Sequence, residues 1–379
     1  MRLLLLTNIP APYRIPLFNR LAKEPGLEFR VVFLAKSEAN REWKVPEGEF
    51  EFDYRILGGW HLFISRWEVP LHLNAGVIRQ IREFRPTAVM SLGYDNLAYW
   101  QAAFYCRLRG KKHLIWSGST LESARQSTGP IGWLKRTIVR LSDGYVAYGT
   151  KASEYLEYLG ARPDRIRVAV NTVDMETYRR RAAAVRDDPE YRQLRARYPE
   201  LLLMYSGRLA ARKGVQTLLE ALRRLSDPDI GLMIVGSGPE EDKLKSFVRD
   251  ERIQNVHFEG FRQTDELPCY YAIADAVVLP TTYDRWGLVV NEALATGAYV
   301  LCSDVAGVAR DLIRSDWNGA TFDPSDPQGL VELIGQTKAM LPALRERRGR
   351  ISDHACKEFG IERSAQGLLE AVRMVHEAS

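Results

Sequence analysis

The chain has 379 residues, 46% of them hydrophobic and 27% charged, with a formal net charge of +5. That length exceeds one ordinary core and suits two α/β domains, while the composition excludes wholesale disorder. No apolar run approaches ~20 residues, which excludes a membrane-spanning helix, and the opening run Met1-Arg-Leu-Leu-Leu-Leu-Thr-Asn8 turns polar too soon for a signal peptide, so the chain is expected in the cytoplasm.

In chain order, residues 2–7 read as a buried strand, and Pro10 and Pro12 in Asn8-Ile-Pro-Ala-Pro-Tyr13-Arg14 delay the next helix, which runs to residue 22. Strands are expected at 29–34 and 51–57, with a polar loop over 37–49 between them. Gly58-Gly59-Trp60 breaks the pattern. A helix over 71–84, a strand over 87–92, an aromatic-rich helix over 96–108 and a buried strand over 113–116 follow, the last ending at Ser117-Gly118-Ser119. Residues 144–148 and 166–170 complete a first set of strands. Residues 178–199 are charge-dense and apolar-poor, the composition of a connection between domains. The alternation then restarts, with strands at 201–205, 232–235, 256–258, 276–279 and 299–302 and helices at 215–225, 240–250, after Thr264 and after Trp286. Residues 327–340 and 361–375 are helical, the last of them expected to pack back on the first domain. The fold class is therefore α/β, two Rossmann-like domains over 1–177 and 200–355 facing one ligand cleft, with 178–199 as linker and 356–379 as a returning helix.

The chemistry concentrates between Tyr283 and Val300. A strand ends at Pro280, a loop follows, and Val289, Val290, Ala293 and Leu294 then recur at helical spacing until Gly297. This puts Asp284 at the mouth of the loop and Glu292 about one turn into the helix, with helix-start amides near Gly287 and Leu288 facing the same carboxyl edge and favouring an anion. A surface acid and an acid on a buried helix also account for the pair. Gly207-Arg208-Leu-Ala-Ala-Arg212-Lys213-Gly214 leaves the first strand of the second half; a glycine there admits a ligand close to the backbone, and Arg208 and Lys213 supply a fork and a point charge for phosphates. A solvated basic loop is the plainer alternative. Gly236-Ser-Gly238-Pro239 holds the equivalent place one unit later, where a simple turn reads as well.

Other features read as structural. Asp227-Pro228-Asp229 imitates a metal-holding acid pair but precedes a strand and is a turn. The six histidines and the cysteines Cys106, Cys269, Cys302 and Cys356 show no ligand spacing, so neither metal nor disulfide is expected. Basic residues cluster in 107–112, 135–140, 162–167 and 179–197, a bias that draws a domain to anionic lipid or substrate. The segment 133–141 has an apolar face bordered by cations, as membrane-surface helices do, although a packed amphipathic helix is commoner. With the aromatic stretch 60–67 it is a candidate membrane contact. Arg348 reads as an ordinary surface residue.

Together, Gly207-Arg-Leu…Lys213-Gly, Gly236-Ser-Gly-Pro, Ala274-Asp-Ala…Leu279-Pro-Thr and Trp286-Gly-Leu-Val-Val…Glu292-Ala…Gly297 resemble the family-four retaining glycosyltransferases of the GT-B fold. Pro12-Tyr13-Arg14-Ile-Pro-Leu-Phe-Asn19 looks like the opening of a bacterial subgroup, and Val170-Asn-Thr-Val-Asp174 like the family's interdomain Asn-Gly-Val-Asp. The resemblance implies a nucleotide-diphosphate sugar, UDP- or GDP-linked, as donor, with no cofactor, no metal and no nucleic acid. Arg208 and Lys213 would grip the diphosphate, Glu292 the ribose, and Asp284 with amides near Gly287, Leu288 and Val289 the transferred sugar. Gly207 and Gly238 would border the donor, and the base would lie near Phe261 and Arg262. Tyr13, Arg14 and Ser119 would face the acceptor, a cell-surface glycan or its lipid-linked precursor.

Three departures stand out: Asp284 replaces the family's usual Glu, Thr172 its Gly, and the loop Ser117-Gly118-Ser119-Thr120 lacks the His many members carry there. By the resemblance the departing phosphate oxygen takes the acceptor proton, and cations rather than a metal stabilise the leaving group. Two other readings stay open: a noncatalytic sugar-nucleotide scaffold, and a transferase for a soluble acceptor.

Overall fold

Leu3 and Leu5 face one core and Leu4 and Leu6 another, because alternate side chains of a strand point to opposite faces and a parallel sheet is covered on both. The computed structural model describes residues 1–38, 45, 47–64, 69–122, 128–315 and 317–377, without the side chains of 61–71 and 192. Its contacts divide into two units, the first comprising Met1–Thr172 and the last helix, Ile361–Glu377, the second Val173–Gly360.

In the first unit the strands are β1 (Arg2–Thr7), β2 (Glu28–Phe33), β3 (Asp53–Ile56), β4 (Gly59–Ile64), β5 (Val69–Asn74), β6 (Ala88–Ser91), β7 (Lys112–Ser117), β8 (Gly144–Ala147) and β9 (Ile166–Val168). Seven of them form one parallel sheet in the order β3-β2-β1-β6-β7-β8-β9. One face packs on the helix Ile15–Ala22 and the last helix through Ile15, Phe18, Leu368 and Val372. Gly367 is required there, since a Cβ would lie 2.2 Å from the Val168 carbonyl oxygen.

The helix expected over 71–84 begins only at Val77. Its first residues instead form β5, paired antiparallel with β4 from Gly59↔Asn74 to Ile64↔Val69. The break has two causes: Gly76 adopts φ 113°, and the buried Asn74 amide donates to the Leu34 carbonyl at 2.7 Å, fixing extended backbone ahead of the helix. The contact surface expected at 60–67 falls outside the described residues except for the backbone of 60–64 and the Trp60 side chain, which is 86% exposed.

The second unit holds β10 (Leu201–Ser206), β11 (Ile230–Val235), β12 (Val256–Gly260), β13 (Ala276–Leu279), β14 (Tyr299–Ser303) and β15 (Gly319–Phe322), in the parallel order β12-β11-β10-β13-β14-β15. This is a doubly wound sheet whose strand order reverses beside β10, the place where such sheets bind ligands at their carboxyl ends. Its four inner strands β10, β11, β13 and β14 are buried on both sides, and Leu203, Leu218, Leu232, Val278 and Leu330 meet in one core. The charge-dense stretch 178–199 folds as the helices Met175–Asp187 and Pro189–Arg195 within this unit, where Arg186 donates to the carbonyls of Ala272 at 3.0 Å and Thr296 at 2.8 Å. The turn at 227–229 is as read, its two carboxylates held by Lys338 at 2.7 and 3.0 Å.

At the amino edge of this sheet Asp275, 2% exposed at its side chain, accepts from Arg195 at 2.6 Å, Arg345 at 3.0 Å, Arg348 at 3.2 Å and the Leu202 amide at 3.1 Å. Arg348 is thus not a surface residue: it also donates to the Ala274 carbonyl at 2.9 Å and is 14% exposed. His113 is a satisfied core histidine between Ser91 and Ser142, and burial drives its pKa down to about 3.

Candidate functional site

In the second unit, glycines stack the loops at the carboxyl edge of the sheet backbone to backbone. Gly236, at φ 142°, lies so close to the loop after β10 that a Cβ would sit 1.9 Å from the Gly207 carbonyl oxygen, and one on Gly214 would sit 1.8 Å from that of Pro280. Hydrogen bonds tie the same loops: Leu209 N to Ser237 O at 2.8 Å, Glu240 N to Leu209 O at 3.1 Å, and Thr282 N to Arg212 O at 2.9 Å. The basic loop 207–214 is therefore held between the loops after β11 and β13. Gly238, read from the sequence as a donor residue, packs on the Leu209 backbone, where a Cβ would meet its carbonyl oxygen at 2.3 Å.

This clamping brings Lys213 and Asp284 together at 2.5 Å, both side chains under a fifth exposed. Asp284 is further positioned by its Oδ1 accepting from the Trp286 amide at 3.4 Å and its carbonyl accepting from Gly307 N at 3.0 Å. Burial pushes the Asp284 carboxyl up, but the Lys213 charge and hydrogen bond, the Trp286 amide and Arg212 together hold it below the usual carboxylate value. Trp286 is buried, its ring nitrogen donating to Asn291 at 3.0 Å, and it fixes the turn into the helix Leu288–Ala295. Gly287 supplies that turn at φ 112°, with Leu288 and Val289 half-buried at the helix start. Arg208 is exposed on the same edge, its carbonyl accepting from the Tyr205 hydroxyl at 2.9 Å. Phe261, 39% exposed, and Arg262, 5.2 Å over the Tyr270 ring and 3.7 Å from Glu259, follow the outer strand β12.

Glu292 lies on the helix Leu288–Ala295. It accepts from the Tyr271 hydroxyl at 2.6 Å, and Tyr178 packs edge-on to Tyr271 at 6.0 Å. Burial raises the Glu292 pKa to about 7, and the two tyrosine hydroxyls hold it down only in part. The folded pKa lies above the ordinary 4.5, so this group's contribution to stability is fully present below about 4.5 and is lost as pH rises through about 7. Glu292→Gln, which cannot ionise, is expected to melt above the parent at pH 8 and level with it in mild acid. Thermal melts that give the same difference at both pH values would count against the raised pKa.

At the carboxyl edge of the first unit, the turn Pro12–Arg14 sets Tyr13 half-buried and Arg14 only 4% exposed. The Arg14 guanidinium lies 4.7 Å over the Trp116 ring, donates from Nε to the Tyr13 hydroxyl at 3.2 Å and from Nη2 to the Tyr148 hydroxyl. Ser119 is half-buried on the loop after β7, its amide bonded to Ser117 Oγ at 3.2 Å. Sequence reasoning missed Trp116, Tyr148, Tyr178 and Tyr271. For the first two a signal existed, an aromatic at or just past the carboxyl end of a strand; the latter two lie on helices and carried none.

Residues 187–352 match the family model described as glycosyl transferases group 1. A D-inositol 3-phosphate glycosyltransferase of Pseudarthrobacter chlorophenolicus is 27% identical over 92% of this chain and 86% of its own. A glycogen synthase of Mycobacterium tuberculosis is 30% identical over 63% of this chain and 54% of its own. The matched residues span 36% to 55% of the length of the first curated relatives. Among solved structures, HepE of Anabaena, determined with UDP, superposes with a TM-score of 0.77 at 18% identity over 99% of this chain and 100% of that one. The fold is that of the GT-B glycosyltransferases.

Proposed function

We propose that the protein is a retaining, metal-independent glycosyltransferase that moves a sugar from a nucleotide-diphosphate donor to a glycan or lipid-linked acceptor. The observation that carries this reading is the pairing of Lys213 with Asp284 beside exposed Arg208 at the carboxyl edge of a doubly wound sheet. Two cations there suit a diphosphate on which negative charge grows as the glycosidic bond breaks, so no metal is needed for that role. The departing phosphate oxygen takes the acceptor's proton, and the sugar leaves and re-forms its bond on one face. Glu292 accepts from the ribose hydroxyls, and Phe261 with Arg262 borders the base. The uridine nucleotide bound by Anabaena HepE favours UDP over GDP in the donor.

A panel of sugar nucleotides tests this directly: one donor is expected to release its nucleotide far above the uncatalysed rate. Tight nucleotide binding with no release from any donor would instead support the noncatalytic scaffold, a reading favoured by the occupancy of both Asp284 carboxylate oxygens within the protein.

We further propose a cytoplasmic protein that sits peripherally on anionic membrane. Among the described residues no helix is long and apolar enough to cross a membrane. Exposed Leu97, Phe104 and Leu108 on the helix Leu97–Leu108, and Ile131, Trp133 and Leu134 on the adjoining helix Gly129–Leu141, carry apolar surface next to exposed Arg107, Arg109 and Arg140. Trp133→Ala with Arg140→Ala is expected to reduce sedimentation with anionic vesicles, and added salt to do the same. Equal recovery with neutral and anionic vesicles would remove the proposal.

A further inference from the structure

The first unit buries a cation that no acid among its described residues neutralises. Arg14 follows β1, and the rings around it follow or end neighbouring strands of the same sheet: Trp116 in β7 and Tyr148 just past β8. Among the described residues no carboxylate pairs with the Arg14 guanidinium, which donates instead to the two phenol oxygens of Tyr13 and Tyr148. Its Nη1 is buried with no hydrogen-bond partner, and so is Nε1 of Trp116, the ring on which the guanidinium lies. Tyr13, having accepted from Arg14 Nε, keeps its own proton to donate.

Two phenol oxygens accept from Arg14, but Nη1 and the Trp116 Nε1 beside it are buried donors left without an acceptor. Stacking on indole recovers only part of what it costs to take a guanidinium out of water, and each unmade hydrogen bond adds to the deficit. An anion supplies what is missing: charge to oppose Arg14, and lone pairs for Nη1 and Tyr13. Gly118 keeps the loop after β7 flat against this cluster, since a Cβ would fall 2.1 Å from the Tyr148 ring.

We propose that Arg14 seats an anionic group, a phosphate or a carboxylate, of the molecule to be glycosylated, so that the acceptor is a charged rather than a neutral sugar compound. This rests on the transferase reading for its biological meaning, but the site itself is testable without any transfer.

The background for the test is the Arg208→Ala/Lys213→Ala double variant, which disables the proposed diphosphate grip, and the probe is inorganic phosphate titrated against chloride at matched ionic strength. Saturable binding, read by calorimetry and by thermal shift, is expected. Arg14→Met in that background should weaken it about tenfold or more, the loss expected of a charge-assisted hydrogen bond. Tyr13→Phe, which changes only a half-buried hydroxyl, should weaken it several-fold and keeps the test open should Arg14→Met not fold. A second titration with glucuronate separates the sources: preference for it over phosphate assigns a carboxylate acceptor, the reverse a phosphorylated one, and neutral glucose should bind through neither. Phosphate and glucuronate that both leave the background protein unbound, or that bind equally well when Arg14 or Tyr13 is changed, would overturn the site. An absent site when the parent protein turns over a donor refutes this inference alone, whereas anion binding through Arg14 when the parent turns over no donor refutes only the transferase reading.

Discussion

Arg208→Ala and Lys213→Ala are each expected to slow transfer by about 10²- to 10³-fold, the range seen when one donor to a developing negative charge is removed. Charge on the diphosphate is greatest as the sugar departs, so kcat should fall more than affinity for the product nucleotide. Removing Lys213 also strands the Asp284 carboxylate without the ammonium 2.5 Å away and should lower the melt. Lys213→Ala with Asp284→Asn should then recover the melt but not the rate. Lys213→Arg should recover rate only in part, because a planar fork does not reproduce a compact ammonium. Arg249→Ala is the suitable control, since Arg249 is exposed and its charge meets only its neighbour Asp250 among the ion pairs found; Arg348 is unsuitable because it helps neutralise Asp275. Folded Arg208→Ala and Lys213→Ala proteins with parental rates would remove the diphosphate assignment.

Elements whose signal is local were legible in the sequence. Leu3 to Leu6 announce a strand covered on both faces, and Gly207, Gly214 and Gly287 mark turns whose φ values of 144°, 69° and 112° only glycine adopts readily. What was misread depends on distant partners. The stretch 71–74 has enough apolar residues to suit a helix, but pairing with β4 and the Asn74 contacts select the strand. The helix Leu341–Phe359 was overlooked because its apolar positions are diluted by arginines. Those arginines look like solvated surface until Asp275, some 70 residues earlier in the chain, is seen to be what Arg345 and Arg348 neutralise. The edge strand Gly319–Phe322 was missed for a related reason: four residues with only Gly319 and Phe322 buried carry little pattern of their own. In the candidate site, the residue types at the sheet edge were readable, but the contact between Lys213 and Asp284 was not, because it arises from backbone stacking between loops 71 residues apart.

Asp275→Ala is expected to be the most destabilising single change in the second unit, by about 3–5 kcal/mol, the cost of leaving a buried ionic cluster without its central charge. Three arginines converge on that carboxylate, and Arg195 and Arg348 are 16% and 14% exposed, so neither can turn freely into water once it is gone. The Leu202 amide also loses its side-chain acceptor, although β10 itself stays paired with β11. Arg345 is 45% exposed, and Arg345→Ala should cost far less, about 1 kcal/mol or below. Burial pushes the Asp275 carboxyl up, but Arg345, Arg195 and Arg348 more than offset this and hold it below its ordinary 3.8. A depressed folded pKa contributes stability that is present above the unfolded value and is lost as pH falls through the folded one. The gap between parent and Asp275→Ala should therefore be constant from about pH 5 to 8 and narrow only in acid below about pH 4. Asp275 lies at the amino edge of the sheet, opposite the loops that carry Lys213 and Asp284, so nucleotide affinity of the folded fraction should not change. Chemical denaturation across that pH range is the measurement, and a variant within 1 kcal/mol of the parent at pH 7 would mean that the arginines find water or other partners and that the cluster is not what holds this edge together.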